Sequence, residues 1–368
     1  MKGLQKITLL GQLTTCLLVL SFHAVMAQTP SSYKYKRAEE LTMIGKAFAN
    51  KQFYHRIDTA DYPDLPTPVK SLLTHSAGLA IAFKTNSTAI AAKWQTSARK
   101  PSANMTAIAF EGLDLYIKKD GKWQFAGVGK PTNDTTEAVV VQHMDSGEKE
   151  CLLYLPLYDE VTNVSIGIDE TGSIVALPDP FKKKIALYGS SIVQGASASR
   201  PGLAYPARLS RETGLNFINL GVSGNAKMEK ATADMLAMID ADAFVLDCIP
   251  NSSPQEIEER TAYLIRTIRA HHPEAPIVMI QTLIREHGYF DQVVGNKTRD
   301  QNSMITQQIE SLQKEINNLY FIKGDDLLGT DHEGTTDGTH PNDLGFDRML
   351  QVIKPFLTTH LPIAGQIR

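Results

Sequence analysis

Cysteine is nearly absent from this 368-residue chain, with three in all, and no cysteine–histidine cluster has metal-ligand spacing. That excludes a structural zinc site, and neither a metal nor a cofactor is expected. Cys151 and Cys248 lie far apart in sequence. An oxidising compartment permits a bridge between such a pair, but buried, unpaired thiols are the expectation. Charge of one sign is missing too, since 37 Lys and Arg against 40 Asp and Glu leave a net charge of −3. The basic excess that marks a nucleic-acid partner is therefore lacking. No repeat and no low-complexity tract is found, and 42% hydrophobic residues suffice for sizeable cores. At ~100–200 residues per domain, the length suggests two domains.

One apolar run stands apart. Lys2 and Lys6 precede residues 7–22, and Ala24-Val-Met-Ala27 places small residues before Gln28. This is the layout of a secretory signal peptide, too short and wrongly flanked for a membrane span. Residues 1–27 are expected to be removed, leaving a charge of about −5 and a secreted or periplasmic protein without stable membrane insertion. Leu13-Thr-Thr-Cys16 departs from a lipoprotein cleavage site at Thr15.

Residues 33–50 are expected to form a short helix, with Ala38, Leu41, Ile44, Ala47 and Phe48 on one face. An extended Pro-rich connector follows over 62–68. From Gly78 to Asp169 short alternating runs are separated by turn signals such as Lys119-Asp-Gly-Lys122. Regular short strands of this kind predict a β-sandwich over 28–180. Leu177-Pro-Asp-Pro180 marks the boundary. Over 181–368, strands at 185–188, 217–220, 244–248, 277–281 and 320–322 alternate with helices at 204–212, 228–239, 254–271, 298–316 and 344–357. That alternation predicts a three-layer α/β domain around a parallel sheet.

Open α/β sheets bind ligands at the carboxyl ends of their strands. The first strand of the second half runs into Gly189-Ser-Ser-Ile192, which puts Ser191 at such an end. A serine hydroxyl is a weak nucleophile and needs a base, a group to orient that base, and donors for an oxyanion. Asp337-Gly-Thr-His340 offers His340 as base and Asp337 as its orienting partner. Gly224, in the loop after the second strand, lets a backbone N–H approach a ligand closely. Asn251, after the third strand, can aim its amide at the same point. Singly, each of these stretches reads equally as a turn or loop feature. Together, four strand ends deliver the required set. Arg285 and His287 follow the fourth strand and can either line a pocket or sit on a solvated loop. Lys182 to Lys184 read as a solvated strand start, and Met228, Met235 and Met238 as helix residues packed on the sheet.

The four stretches resemble, in chain order, the blocks of the SGNH (GDSL-type) hydrolases. The resemblance implies a flavodoxin-like fold, Ser191 as nucleophile, an Asp337–His340 pair, and an oxyanion hole made by Ser191, Gly224 and Asn251. Ser190 replaces the usual Asp of the first block, and Ile249-Pro-Asn-Ser252 departs from the usual Gly-x-Asn-Asp of the third. Gly112-Leu-Asp-Leu-Tyr116 resembles the Gly-x-Asp-Leu-Tyr signature of a β-rich, jelly-roll-like domain that precedes SGNH domains. The pair implies a secreted carbohydrate esterase acting on O-acetyl groups of an acetylated glycan. A lipase, lysophospholipase or thioesterase is one alternative, and a non-catalytic glycan-binding protein is another.

Overall fold

Short strands fill the first half of the chain. The computed structural model describes residues 32–49, 51–97 and 99–361, so the expected signal peptide at 1–27 lies outside the described residues. Ten strands come first: β1 (Tyr33–Arg37), β2 (Thr42–Ile44), β3 (Ala80–Thr85), β4 (Ile90–Thr96), β5 (Leu113–Lys119), β6 (Lys122–Gly129), β7 (Thr135–Val141), β8 (Lys149–Tyr154), β9 (Val161–Asp169) and β10 (Ile174–Ala176). They make two antiparallel sheets, β1-β9-β4-β7 and β10-β3-β8-β5-β6, with β2 also paired to β3. Alternate residues of each strand point the same way, so Ile81, Phe83, Leu115 and Leu153 of one sheet share a core with Ile90, Trp94, Val164 and Ile166 of the other. Asp120 and Gly121, both at positive φ, form the two-residue hairpin turn that an Asp-Gly pair favours.

The helix expected over 33–50 does not form. Tyr and Lys alternate in β1 with the period of a strand, and β1 pairs with β9 from Tyr33 opposite Asp169 to Arg37 opposite Ser165. Gly45 sits at φ +85°, and a Cβ there would meet the Gly78 carbonyl oxygen at 2.5 Å, so the chain turns where a helix would continue. Ala38, Leu41, Ile44 and Ala47 are buried nonetheless, but from separate elements. The Pro-rich connector ends sooner than expected, because Pro68 lies in the first turn of a helix, α1 (Thr67–Leu73). A second short helix, α2 (Ala107–Glu111), is capped by the Thr106 hydroxyl.

Beyond β10 the pattern changes to β11 (Lys182–Gly189), α3 (Ser191–Gln194), α4 (Tyr205–Thr213), β12 (Leu215–Gly221), α5 (Lys230–Ala237), β13 (Ala243–Asp247), α6 (Pro254–His271), β14 (Ile277–Ile280), α7 (Gln292–Leu312), β15 (Leu319–Ile322) and α8 (Asp343–His360). All five strands are parallel, in the order β12-β11-β13-β14-β15. Both faces are covered. Ala186, Tyr188, Phe244 and Leu246 pack beneath α5, α6 and α7, whereas Ile185, Leu187, Val245 and Val278 pack beneath α4 and α8. Such strands carry no polar face, which is why they read as continuous apolar runs. The connection from β11 leads to one side of the sheet and the later ones to the other. The order reverses between β11 and β13, and their carboxyl ends open the crevice where doubly wound sheets take ligands. Met228 and Met235 are buried as expected, but Met238 faces solvent.

The Gly112–Tyr116 stretch has a structural task that its sequence did not reveal. Leu113 and Leu115 enter the core between the antiparallel sheets, while Asp114 and Tyr116 face the other way. Both Asp114 carboxylate oxygens accept from Arg200 Nη1 at 2.9 Å, and one also accepts the Gly202 N–H at 2.8 Å. The Tyr116 hydroxyl accepts from the same Nη1 at 2.6 Å, and the Arg211 guanidinium lies 3.7 Å from the Tyr116 ring centroid. This grip ties β5 to the segment between α3 and α4, just beyond Ser191.

Candidate active site

Gly189 ends β11 where the chain must squeeze past its neighbour, since a Cβ there would meet the Asp247 carbonyl oxygen at 2.3 Å. Ser190 then caps α3. It is fully buried, its Oγ accepts the Ile192 N–H at 3.2 Å, and its N–H donates to Asp247 C=O. The departure from the usual Asp thus leaves an ordinary helix cap. Ser191 opens the helix, and its hydroxyl lies 2.9 Å from His340 Nε2.

His340 is held by its own loop. Asp337 Oδ1 accepts the backbone N–H groups of Thr339 at 3.0 Å and of His340 at 2.8 Å, and its Oδ2 lies 2.8 Å from His340 Nδ1. Gly338 takes φ +81°, which this tight return requires. With the carboxylate facing Nδ1, the imidazole carries its proton there and leaves Nε2 to accept from Ser191. Partial burial pushes the Asp337 carboxyl upward, but the His340 and Thr339 contacts outweigh it and hold the group below its ordinary range.

A cavity of about 330 Å³ opens above this pair, and Ser191, Gly224, Asn251 and His340 all line it. The Ser191 amide is in a first helical turn, so it has no intrahelical acceptor. Gly224, at φ +71°, belongs to a turn in which a Cβ would meet nothing, so its conformation rather than crowding calls for glycine. Asn251 Oδ1 accepts the Ala226 N–H at 3.2 Å, which orients the side chain and leaves its NH₂ unused. Of the residues expected at the site, Ser191, Gly224, Asn251 and His340 line this cavity, and Asp337 stands behind it, joined through His340 Nδ1.

Other members gave no sequence signal. Asn104, just before α2, sends its amide to Asp337 Oδ2 at 3.1 Å and Ser197 Oγ at 3.2 Å, so the antiparallel half of the chain touches the carboxylate. Gln194 Oε1 accepts the Ser223 N–H at 3.0 Å and fixes the Gly224 turn. From α7, the buried Gln301 donates to the carbonyls of Ile249 and Ser252 and fixes the Asn251 turn. Asn104 and Gln301 sit in sequences without a motif and come near only in the folded chain, whereas Gln194 ends the helix that Ser191 opens and meets Ser223 from another loop. Arg285 lines the cavity, while His287 is exposed and packs beside Gly338. Cys151 and Cys248 are both free and buried.

Asp247 lies beneath the Ser190–Ser191 turn, and among the described residues no countercharge faces it. Burial raises its carboxyl to about 7, and the Tyr205 hydroxyl, donating at 2.8 Å, offsets only part of that. In the unfolded chain the same group ionises in the ordinary carboxylate range. Its contribution to stability is therefore present in full at acid pH and is lost as pH rises towards 7. Asp247→Asn, which cannot ionise, should raise the melting temperature relative to wild type more at about pH 8 than at about pH 5. Equal differences at the two pH values would contradict this.

A hydroxyl, an imidazole and a carboxylate in hydrogen-bonded series, at the switch point of a doubly wound sheet, define a hydrolase-type site. Residues 182–358 match the model of the GDSL-like lipase/acylhydrolase family, and residues 33–174 match that of the N-terminus of SGNH-hydrolase-type esterases. A solved structure from Bacteroides ovatus, described as a GDSL-like lipase, is 58% identical, with a TM-score of 0.89 over 90% of this chain and 98% of that one. The chain belongs to the GDSL-like lipase/acylhydrolase family. A salicylyl-acyltransferase from a tetracycline biosynthetic pathway shares the fold at 18% identity and a TM-score of 0.73, over 89% of this chain and 97% of that one. An acetyl xylan esterase of the rumen bacterium Butyrivibrio proteoclasticus does so at 12% identity and 0.59, over 90% and 100%. No curated protein matches the chain. Among the described residues, no helix is long and apolar enough to cross a membrane.

Proposed function

We propose that this protein is a secreted or periplasmic serine esterase that removes short acyl groups, O-acetyl above all, from carbohydrates. The observation that carries the reading is the series Ser191–His340–Asp337 opening onto a cavity that unused N–H donors also line. Ser191 Oγ attacks the ester carbonyl as its proton passes to His340 Nε2. The oxyanion is held by the N–H groups of Ser191 and Gly224 and by the Asn251 amide. Collapse of the intermediate breaks the carbon–oxygen bond to the alcohol, which leaves with the proton from His340. The same imidazole then activates water on the acyl-enzyme. Asp337 keeps the imidazole in its tautomer throughout.

A small acyl group suits the cavity. Ser223, Thr282 and Thr339 line it alongside Ile192 and Leu283, whereas a long chain would draw about 0.8 kcal/mol per methylene from an apolar wall. Carbohydrate is favoured by the N-terminal esterase-type domain and by the fold shared with an acetyl xylan esterase. The signal-like N-terminus favours export. The strand order β1-β9-β4-β7 facing β3-β8-β5-β6 is that of two interlocked Greek keys and supports a jelly-roll reading of the N-terminal half.

p-Nitrophenyl esters of two to eight carbons test the acyl preference. The highest kcat/KM is expected on acetate, and a maximum at octanoate would favour the lipase alternative. Asn251→Ala should keep the fold and lower kcat by about 10²–10³. Turnover near wild type in that variant would remove Asn251 from the oxyanion hole.

A further inference from the structure

Arg285 is a cation in the cavity without an anion. It lines the same space as Ser191, Asn251 and His340, and no Asp, Glu or Lys joins it there. Among the described residues its one hydrogen bond runs from Nη2 to the Pro250 carbonyl at 2.8 Å. Burial lowers its guanidinium from the ordinary value, with no neighbouring carboxylate to oppose the shift. Other partly buried arginines of this chain are matched differently. Arg200 faces Asp114, Arg208 faces Glu212 and Asp347, and Arg348 faces Asp331. The fully buried Arg56 is satisfied by the carbonyls of Leu72, His75, Asn219 and Gly221. A guanidinium has five N–H donors in a planar fork suited to a carboxylate, and Arg285 uses only a small part of that capacity.

We propose that Arg285 binds a carboxylate on the alcohol part of the substrate, so that the preferred esters are O-acetylated acidic sugars, uronic acids in chemical class. This rests on the short-acyl esterase reading. An acetyl group has no second charge to offer, so the carboxylate belongs to the sugar that leaves. Neutral acetylated sugars reach the same Ser191 but leave the fork unpaired, and selectivity arises from that difference.

The test compares kcat/KM for an O-acetylated galacturonic acid oligosaccharide with that for its carboxyl-reduced, neutral counterpart of the same acetyl pattern. Wild type should favour the acidic form by about tenfold or more. Arg285→Gln should bring the ratio close to one, and Arg285→Lys should retain part of it, since charge survives without the fork. A wild-type ratio of one or less overturns the proposal. So does an unchanged ratio in Arg285→Gln, which would make Arg285 only a clamp on Pro250. Should that variant fail to fold, wild type decides alone: raising NaCl from about 50 mM to about 1 M should erode the ratio through screening. A ratio indifferent to salt counts against the proposal. A preference for p-nitrophenyl hemisuccinate over butyrate that vanishes in Arg285→Gln would put the charge on the acyl side and likewise overturn it. Turnover of p-nitrophenyl acetate, abolished in Ser191→Ala, separates the two levels. If it is present while the ratio is near one, only the acidic-sugar proposal fails. If it is absent, the esterase reading fails first.

Discussion

Ser191→Ala should lower kcat by about 10⁶-fold and leave the melting temperature close to that of wild type. The loss follows from the contact of the hydroxyl with His340 Nε2 at 2.9 Å, because without Oγ the imidazole has no proton to take and no bond forms to the acyl carbon. Stability should hold because the serine hydroxyl supports nothing else. The cap of α3 comes from Ser190, and the Ser191 carbonyl still accepts from Gly195 and Tyr158. Labelling by a fluorophosphonate probe should vanish with the activity. Ser190 cannot take over, since it is fully buried with its Oγ engaged by the Ile192 N–H. Labelling that persists, or activity above about 1% of wild type, would remove Ser191 from the nucleophile's role. The same variant separates an enzyme from a glycan-binding protein, because binding would survive and turnover would not.

The features legible in the sequence share one property, which is that a local pattern encodes them. Ile185, Leu187, Phe244 and Ile277 announce buried parallel strands because both faces are apolar. Ser191, Gly224 and Asn251 are legible because each closely follows a strand end, and the sheet fixes where strand ends go; His340, in the long loop between β15 and α8, is legible from its spacing to Asp337. Positions 33–50 misled because Ala38, Leu41, Ile44 and Ala47 recur at near-helical spacing, while the alternation in Tyr33–Arg37 is completed only by a partner strand more than a hundred residues away. Asn104 and Gln301 were invisible for a related reason. Each is an amide whose partners, Asp337 for one and the Ile249–Ser252 turn for the other, lie far away in sequence. No spacing rule links them. The sequence leaves Arg285 open between pocket and solvent because it follows the end of β14, and only the fold shows that this strand's loop reaches the cavity.

Asp114→Ala should destabilise the protein by about 3–5 kcal/mol, the usual cost of removing one partner from a buried ion pair. The carboxylate is fully buried, and burial holds it above its ordinary range even though Arg200 and the Gly202 N–H draw it down. Once it is gone, Arg200 keeps a hydrogen bond to the Tyr116 hydroxyl and its place over the Phe125 ring but faces no carboxylate, and the Gly202 amide loses its acceptor. Activity should fall along with stability. Arg200 adjoins Ser199, whose N–H and hydroxyl both reach Asp343 at the start of α8, three residues past His340. Slack in the grip thus reaches both the segment that follows Ser191 and the loop that carries His340. Asp114→Asn should cost less than the alanine variant, because an amide oxygen can still accept from Gly202. Combining Asp114→Ala with Arg200→Leu should recover part of the loss, since the guanidinium that faced the carboxylate is then gone as well. Urea midpoints for the two single variants and the double close this cycle. If the single-variant losses add without coupling, the Gly-x-Asp-Leu-Tyr stretch is not what locks the two halves of the chain together.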